Sequence, residues 1–188
     1  MDSVLRREIC VNKTVCRITG VLVFVILTSL GAFVRIRLPF TPVPITLQTL
    51  FVLLSGALLG SNLGAMAQLS YAFLGLSGLS IFTGSGSGFF YLCGPTGGYI
   101  FGFVLSVLFI GRFIRGSRNN LFSVFALLCA GDMIILVCGS IWLKLLLGYR
   151  LTMALSAGLI PFIPGDLIKV MLASVLYFKL KPRFAQSI

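Results

Sequence analysis

Apolar stretches of near-spanning length recur along this chain, separated by short polar or glycine- and proline-rich breaks. A helix needs about 20 mostly apolar residues to cross a bilayer's hydrocarbon core. The pattern predicts six helices, at about residues 18–34, 45–60, 63–82, 96–114, 121–143 and 166–180. Arg35 and Arg37 close the first. Pro39, Pro42 and Pro44 then force extended or turn backbone. Ser61 and Asn62 read as a tight turn, and residues 115–120 as a polar break. Residues 151–160 are too short to span and are broken at Pro161 and Pro164, so they read as a short helix or re-entrant piece. The sixth helix is also short, which tilt or a start inside the protein would accommodate.

The connection at residues 83–99 is the most unusual stretch. It has no charge, six glycines, one proline and hydroxyls at Thr83, Ser85, Ser87, Tyr91, Thr96 and Tyr99. Glycine lets backbone approach a neighbour closely, and hydroxyls and free N–H groups bind small polar ligands. Gly84, Ser85 and Tyr91 are therefore candidate ligand contacts. A flexible linker is the plainer reading, but a linker has no use for Phe89, Phe90 and Tyr91.

Composition agrees with a membrane protein. Charged residues make up 10% of the chain, against about 25% in soluble domains. The net charge of +11 would suit nucleic acid. The basic residues, however, cluster at the ends of apolar runs rather than along one helix face, which is the pattern of topology, so nucleic acid is not an expected partner. Ten of them, Arg6, Arg7, Lys13, Arg17, Arg112, Arg115, Arg118, Lys179, Lys181 and Arg183, fall on one side of the predicted bilayer. Four, Arg35, Arg37, Lys144 and Arg150, fall on the other. The positive-inside rule puts both termini in the cytoplasm. The expectation is an all-α integral membrane protein with one six-helix domain over residues 1–188, residues 1–17 and 181–188 forming basic cytoplasmic tails. The basic start could open a signal peptide, but the apolar run is long and no cleavage site follows, so an uncleaved first span is expected. The connections after helices 1, 3 and 5 then share the outer face. Non-helical backbone at membrane depth must be buried or line a cavity, so these three loops should cap an outward-facing pocket.

Few residues could act on a ligand there. Asp166 and Lys169 are three apart and share a helix face. Ionisable groups within a membrane are costly and mark functional sites. The plainer reading is an N-cap carboxylate with a local ion pair. The sharper one has Lys169 offering a cation and Asp166 accepting N–H groups inside the pocket. Gln48, at the start of the second helix, suits an amide-like ligand. Asp132 stands alone in an apolar run, and three readings stay open: protonated, near the inner end of its helix, or paired with a partner subunit. Trp142 reads as an interface anchor, and Gln68 as a bond between helices. The chain has no histidine, no phosphate-binding loop and no recognisable catalytic set, and its five cysteines suggest neither zinc site nor disulfide framework. No enzyme activity, metal or cofactor is expected.

The run Leu38-Pro39-Phe40-Thr41-Pro42-Val43-Pro44-Ile45-Thr46-Leu47-Gln48, continuing to Gly60, resembles the signature of the BioY family, the biotin-specific S components of energy-coupling factor (ECF) transporters. Gly94-Pro95-Thr96-Gly97-Gly98-Tyr99 and Pro161 through Lys169 are similar to two further segments of that family. The resemblance implies biotin uptake across the cytoplasmic membrane of a bacterium. It also implies a transmembrane coupling protein and two cytoplasmic ATPases as partners. Asp166 and Lys169 match the family's ligand-contacting acid and lysine, and Tyr99 and the glycine loop its pocket wall and lid. Lys169 at the biotin carboxylate with Asp166 at a ureido N–H is one arrangement, and the reverse distribution stays open. S components tend to carry A-x-x-x-A on helix 1 for docking, whereas this chain offers Thr28 and Ala32. A solitary facilitator, or an S component for another vitamin-like molecule, is the alternative.

Overall fold

The computed structural model describes residues 13–117 and 120–185. Asp2, Arg6, Arg7, Glu8, Cys10 and Arg118 lie outside the described residues. Helix α1 (Lys13–Phe33) leads into an antiparallel ribbon of β1 (Arg35–Ile36) and β2 (Ile45–Thr46), with Arg35 opposite Thr46. Then come α2 (Gln48–Leu76), α3 (Phe89–Leu92), α4 (Gly97–Ser117), α5 (Leu121–Leu147), α6 (Leu151–Gly158) and α7 (Ile163–Ala185). Helices α1, α2, α4 and α5 are long and apolar enough to cross a membrane, and α6 with α7, bent by 51° at a short break, makes a fifth candidate span.

Helix α2 is not straight. Along a straight helix Gln48 and Tyr71 would stand about 35 Å apart. Yet Gln48 Nε2 lies 2.7 Å from the Tyr71 hydroxyl, and Gln68 Nε2 lies 3.0 Å from Ser55 Oγ. The chain therefore folds back on itself at Gly60, whose φ of 81° and ψ of −174° belong to a region essentially reserved for glycine. The tight turn expected at Ser61 and Asn62 falls one residue earlier, and Gln68 does bond to the facing arm.

Several boundaries differ from expectation for local reasons. Helix α1 starts at Lys13 rather than Ile18. Ile45 and Thr46 are in the ribbon rather than the helix, because the Leu47 N–H bonds back to the carbonyls of Gly31 and Val34 at the end of α1. The helix expected to reach residue 82 stops at Leu76. Gly78 takes φ 99°, its N–H bonds Gly75 O, and the Leu79 N–H bonds Leu74 O, the paired bonds of a glycine-terminated helix end. At the start of α5 the Asn120 side chain accepts from the Phe122 N–H at 2.9 Å. Helix α7 runs through Pro182, which lies in the final turns, where water can satisfy the carbonyl its missing N–H frees.

Helix α2 packs against α1, α4 and α7, and α5 packs against α4, α6 and α7. Leu53, Val107, Ile110, Leu128, Ile135 and Leu143 form the buried centre. A Cβ at Gly56 would sit 3.2 Å from Val107 Cα and Ile110 Cβ, so glycine sets the approach of α2 to α4. The outer surface of α1 exposes Val15, Ile18, Leu22, Ile26, Leu30 and Phe33 at helical spacing, a lipid-compatible ridge. Thr28 and Ala32, the departure from the small-residue docking pattern, are fully buried and face the bundle interior. Cys16 is disulfide-bonded, which the cysteine pattern did not lead us to expect, and Cys93, Cys129 and Cys138 are free thiols. The two ends of the bundle differ in charge distribution. Arg17, Arg112, Arg115 and Lys181 line a cleft around the Gly60 turn, and Arg35 and Arg37 stand with the prolines and the glycine loop at the other end.

Candidate functional site

Asp166 is the fourth residue of α7, one turn inside the helix rather than at its cap. Three residues on, the Lys169 ammonium forms an ion pair with Asp166 Oδ1. It also donates to Thr46 O at 2.9 Å and Thr49 Oγ1 at 2.8 Å. All three ammonium protons are thereby used. The Thr49 hydroxyl approaches Asp166 Oδ1 at 3.4 Å. Both charged residues are buried, Lys169 at 7% and Asp166 at 2% exposure. A buried pair of this kind loses hydration that its mutual attraction only partly returns. Asp166 Oδ2 is buried and has no hydrogen-bond partner among the described residues. The pair thus holds one unused acceptor.

Gln48 organises the opposite side. Its Oε1 accepts from the hydroxyls of Thr46 at 3.3 Å and Thr83 at 3.0 Å, and its Nε2 donates to the Tyr71 hydroxyl. Tyr71 in turn donates to Ile81 O at 3.4 Å. The glycine loop is folded onto this framework. Phe82 is fully buried, edge-on to Tyr71 and stacked on Tyr91 with ring centroids 5.0 Å apart. The Tyr91 hydroxyl donates to Thr83 O at 2.9 Å, so the loop is braced internally. From α4, Tyr99 lays its ring 6.0 Å from Phe162 and donates its hydroxyl to Gly158 O at 2.6 Å. Trp142, read as an interface anchor, donates its indole N–H to Gly94 O at 2.9 Å and pins the loop's far end.

These elements enclose a cavity of about 40 Å³. Gln48, Tyr91, Tyr99, Asp166 and Lys169, five of the seven residues singled out in the sequence, line it. Gly84 and Ser85 do not. They take φ of 80° and 61° and turn the chain outside the cavity, where Gly84 lies against the Arg35 guanidinium. Thr49, Tyr71, Phe103, Leu136 and Phe162 also line the cavity and carried no sequence signal for it. Tyr71 reaches Gln48 only because α2 folds back, and the other four are ordinary helix or turn residues until the bundle forms. Asp132 is not among the lining residues. It is 2% exposed in the middle of α5, with Oδ1 lacking a hydrogen-bond partner among the described residues. That rules out both a helix-end position and a surface for a partner subunit.

A cavity of this size accommodates only a few waters, since each needs roughly 10–15 Å³. A small-molecule site needs about 300 Å³ or more, so the space as it stands is smaller than a bound ligand requires. The walls combine aromatic and aliphatic surface with a short, dense polar cluster. Such a lining suits a ligand with one compact polar group and an apolar remainder.

The BioY family profile matches residues 6–186. A protein of Pyrococcus horikoshii called "Probable biotin transporter BioY" is 38% identical over 161 residues, 86% of this chain and 93% of its own. "Biotin transporter BioY" of Thermotoga maritima is 37% identical over 159 residues, 85% of this chain and 92% of its own. A crystal structure of "the S-component for biotin from an ECF-type ABC transporter" superposes with a TM-score of 0.86 at 29% identity, covering 92% of this chain and 94% of that one. This multi-pass, helical membrane chain belongs to the BioY family.

Proposed function

We propose that this chain captures biotin from outside the cytoplasmic membrane of a bacterium and is the substrate-binding S component of an ECF transporter. The observation that carries the reading is the buried Lys169–Asp166 pair with its unused Asp166 Oδ2, set in the wall of the cavity. Biotin has a ureido head with a carbonyl acceptor beside N–H donors, a sulfur-containing ring and an apolar tail ending in a carboxylate. Lys169 and Asp166 touch each other, whereas the two polar ends of biotin are separated by its rings and tail. One ligand cannot hold them at opposite ends without breaking the pair. Both therefore act on the ureido head: Asp166 Oδ2 accepts an N–H, and the Lys169 ammonium exchanges its bond to Thr49 for one to the adjacent carbonyl. This replaces the arrangement with Lys169 at the carboxylate.

In this reading Gln48 and Thr49 hold the polar cluster in place, and Tyr91, Tyr99 and Phe162 contact the rings and tail. The positive-inside rule orients the bundle. The Arg17, Arg112, Arg115 and Lys181 end faces the cytoplasm, and the cavity end faces out. A single six-crossing domain with both termini inside satisfies that orientation. The residues present supply binding and no means of hydrolysing ATP, so a transmembrane coupling protein and two cytoplasmic ATPases provide the energy. The chain acts as a transport subunit and not as an enzyme.

The test is equilibrium binding of tritiated biotin to the purified chain in detergent, with competitors. Saturable binding is expected. Compounds bearing the cyclic ureido head should displace biotin. Lipoate, which keeps the carboxylate tail and lacks the ureido group, should not. Absence of saturable binding, or equal displacement by lipoate, would contradict the assignment.

A further inference from the structure

Outside the ligand cavity, at the same end of the bundle, lies a second space of about 550 Å³. It shares Pro44, Thr83, Tyr91 and Thr96 with the inner cavity, so those four form the partition between the two. Its charged residues are Arg35 and Arg37. Both are exposed, and neither is in an ion pair among the described residues. The described acids are Asp132 and Asp166, both buried elsewhere. The outer space is therefore a positive vestibule with no countercharge of its own among the described residues. The Arg35 guanidinium is placed by the glycine loop, resting against Gly84 at its positive φ. Its backbone is placed by the ribbon, where Arg35 is opposite Thr46, the residue whose carbonyl holds the Lys169 ammonium. The outer cation and the inner one thus hang on one two-stranded ribbon.

We propose that Arg35 and Arg37 form an outer station for a carboxylate, which the anionic end of the ligand occupies while the polar head goes to Asp166 and Lys169. This rests on the biotin reading above and assigns the end of the ligand that the inner cluster leaves unmatched. Arginine suits the task, because its planar fork binds carboxylates in two-point fashion. A charged rim governs the rate of association and its dependence on salt more than the rate of release.

The experiment measures association and dissociation rates of radiolabelled biotin and of its uncharged carboxamide on the purified full chain at low and high salt. Parent protein is compared with the Arg35→Gln/Arg37→Gln double variant. Association of biotin with the parent should slow as salt rises, and that of the carboxamide should not. The double variant should associate with biotin about 3- to 10-fold more slowly at low salt, with carboxamide association unchanged and biotin release changed less than its association. The parent's salt dependence needs no variant, so misfolding of the double variant leaves the question answerable. If the parent binds neither compound, the biotin reading falls and takes the station with it. If the parent binds biotin with salt-independent association, or the variant matches the parent, the outer station alone is refuted.

Discussion

Lys169 and Asp166 illustrate what burial demands of single residues. Separately, either charge inside this bundle would be left without water or a counterion. Together they are held by Thr46 and Thr49 and tolerated at 7% and 2% exposure. Removing one member of a buried pair typically costs about 3–5 kcal/mol, and replacing both with apolar residues is often neutral or stabilising. Lys169→Met should therefore lower the thermal unfolding temperature in detergent more than the Asp166→Leu/Lys169→Met double variant does. Both should lose biotin. A double variant less stable than Lys169→Met would show that the pair stabilises the fold and is not merely accommodated by it. This part of the site was legible in the sequence, because two opposite charges three apart at the start of an apolar run share a helix face and are too costly there to be idle. The roles of Gly84 and Ser85 were not. Their composition announced a turn, but only the folded loop shows that the turn points away from the cavity and towards Arg35.

At the scale of elements, the hairpin in α2 decides whether a site exists. Gly60 brings Tyr71 back to Gln48, and Tyr71 in turn seats Phe82 and the glycine loop. A Cβ at Gly60 would meet nothing within 4 Å, so any penalty there comes from the backbone alone. Gly60→Ala should cost about 1–3 kcal/mol through its φ of 81°. Gly116→Ala, also in open space but in helical backbone, should be neutral or stabilising by up to about 1 kcal/mol. Thermal unfolding of the two variants checks the contrast, and equal effects would contradict it. Periodicity located the helices well because lipid-spanning segments are long and uniformly apolar. It misplaced the ends at residues 45 and 82 because those depend on backbone hydrogen bonds that periodicity does not encode, from Leu47 to α1 and from Leu79 to Leu74. Likewise the spacing of Thr28 and Ala32 did not say which way they point, and only packing against α2 shows that they face inward.

The whole molecule is a bundle with a cavity at one end and a cluster of basic residues at the other. That polarity was visible in the sequence as an imbalance of Lys and Arg. The enclosure of the cavity was not, since it depends on Tyr71, Phe103, Leu136 and Phe162 converging from four separate segments. In the proposed binding mode Lys169 and Asp166 together read the ureido head, leaving the carboxylate to the outer face. The most direct measurement is the affinity of Lys169→Ala and of the parent for biotin and for biotin carboxamide, by equilibrium binding. Loss of a charge-assisted hydrogen bond is worth roughly 1.5–3 kcal/mol, or about 10- to 150-fold. Lys169→Ala should weaken both ligands by similar factors in that range. A variant that loses biotin affinity and binds the carboxamide as the parent does would place Lys169 at the carboxylate and contradict that mode.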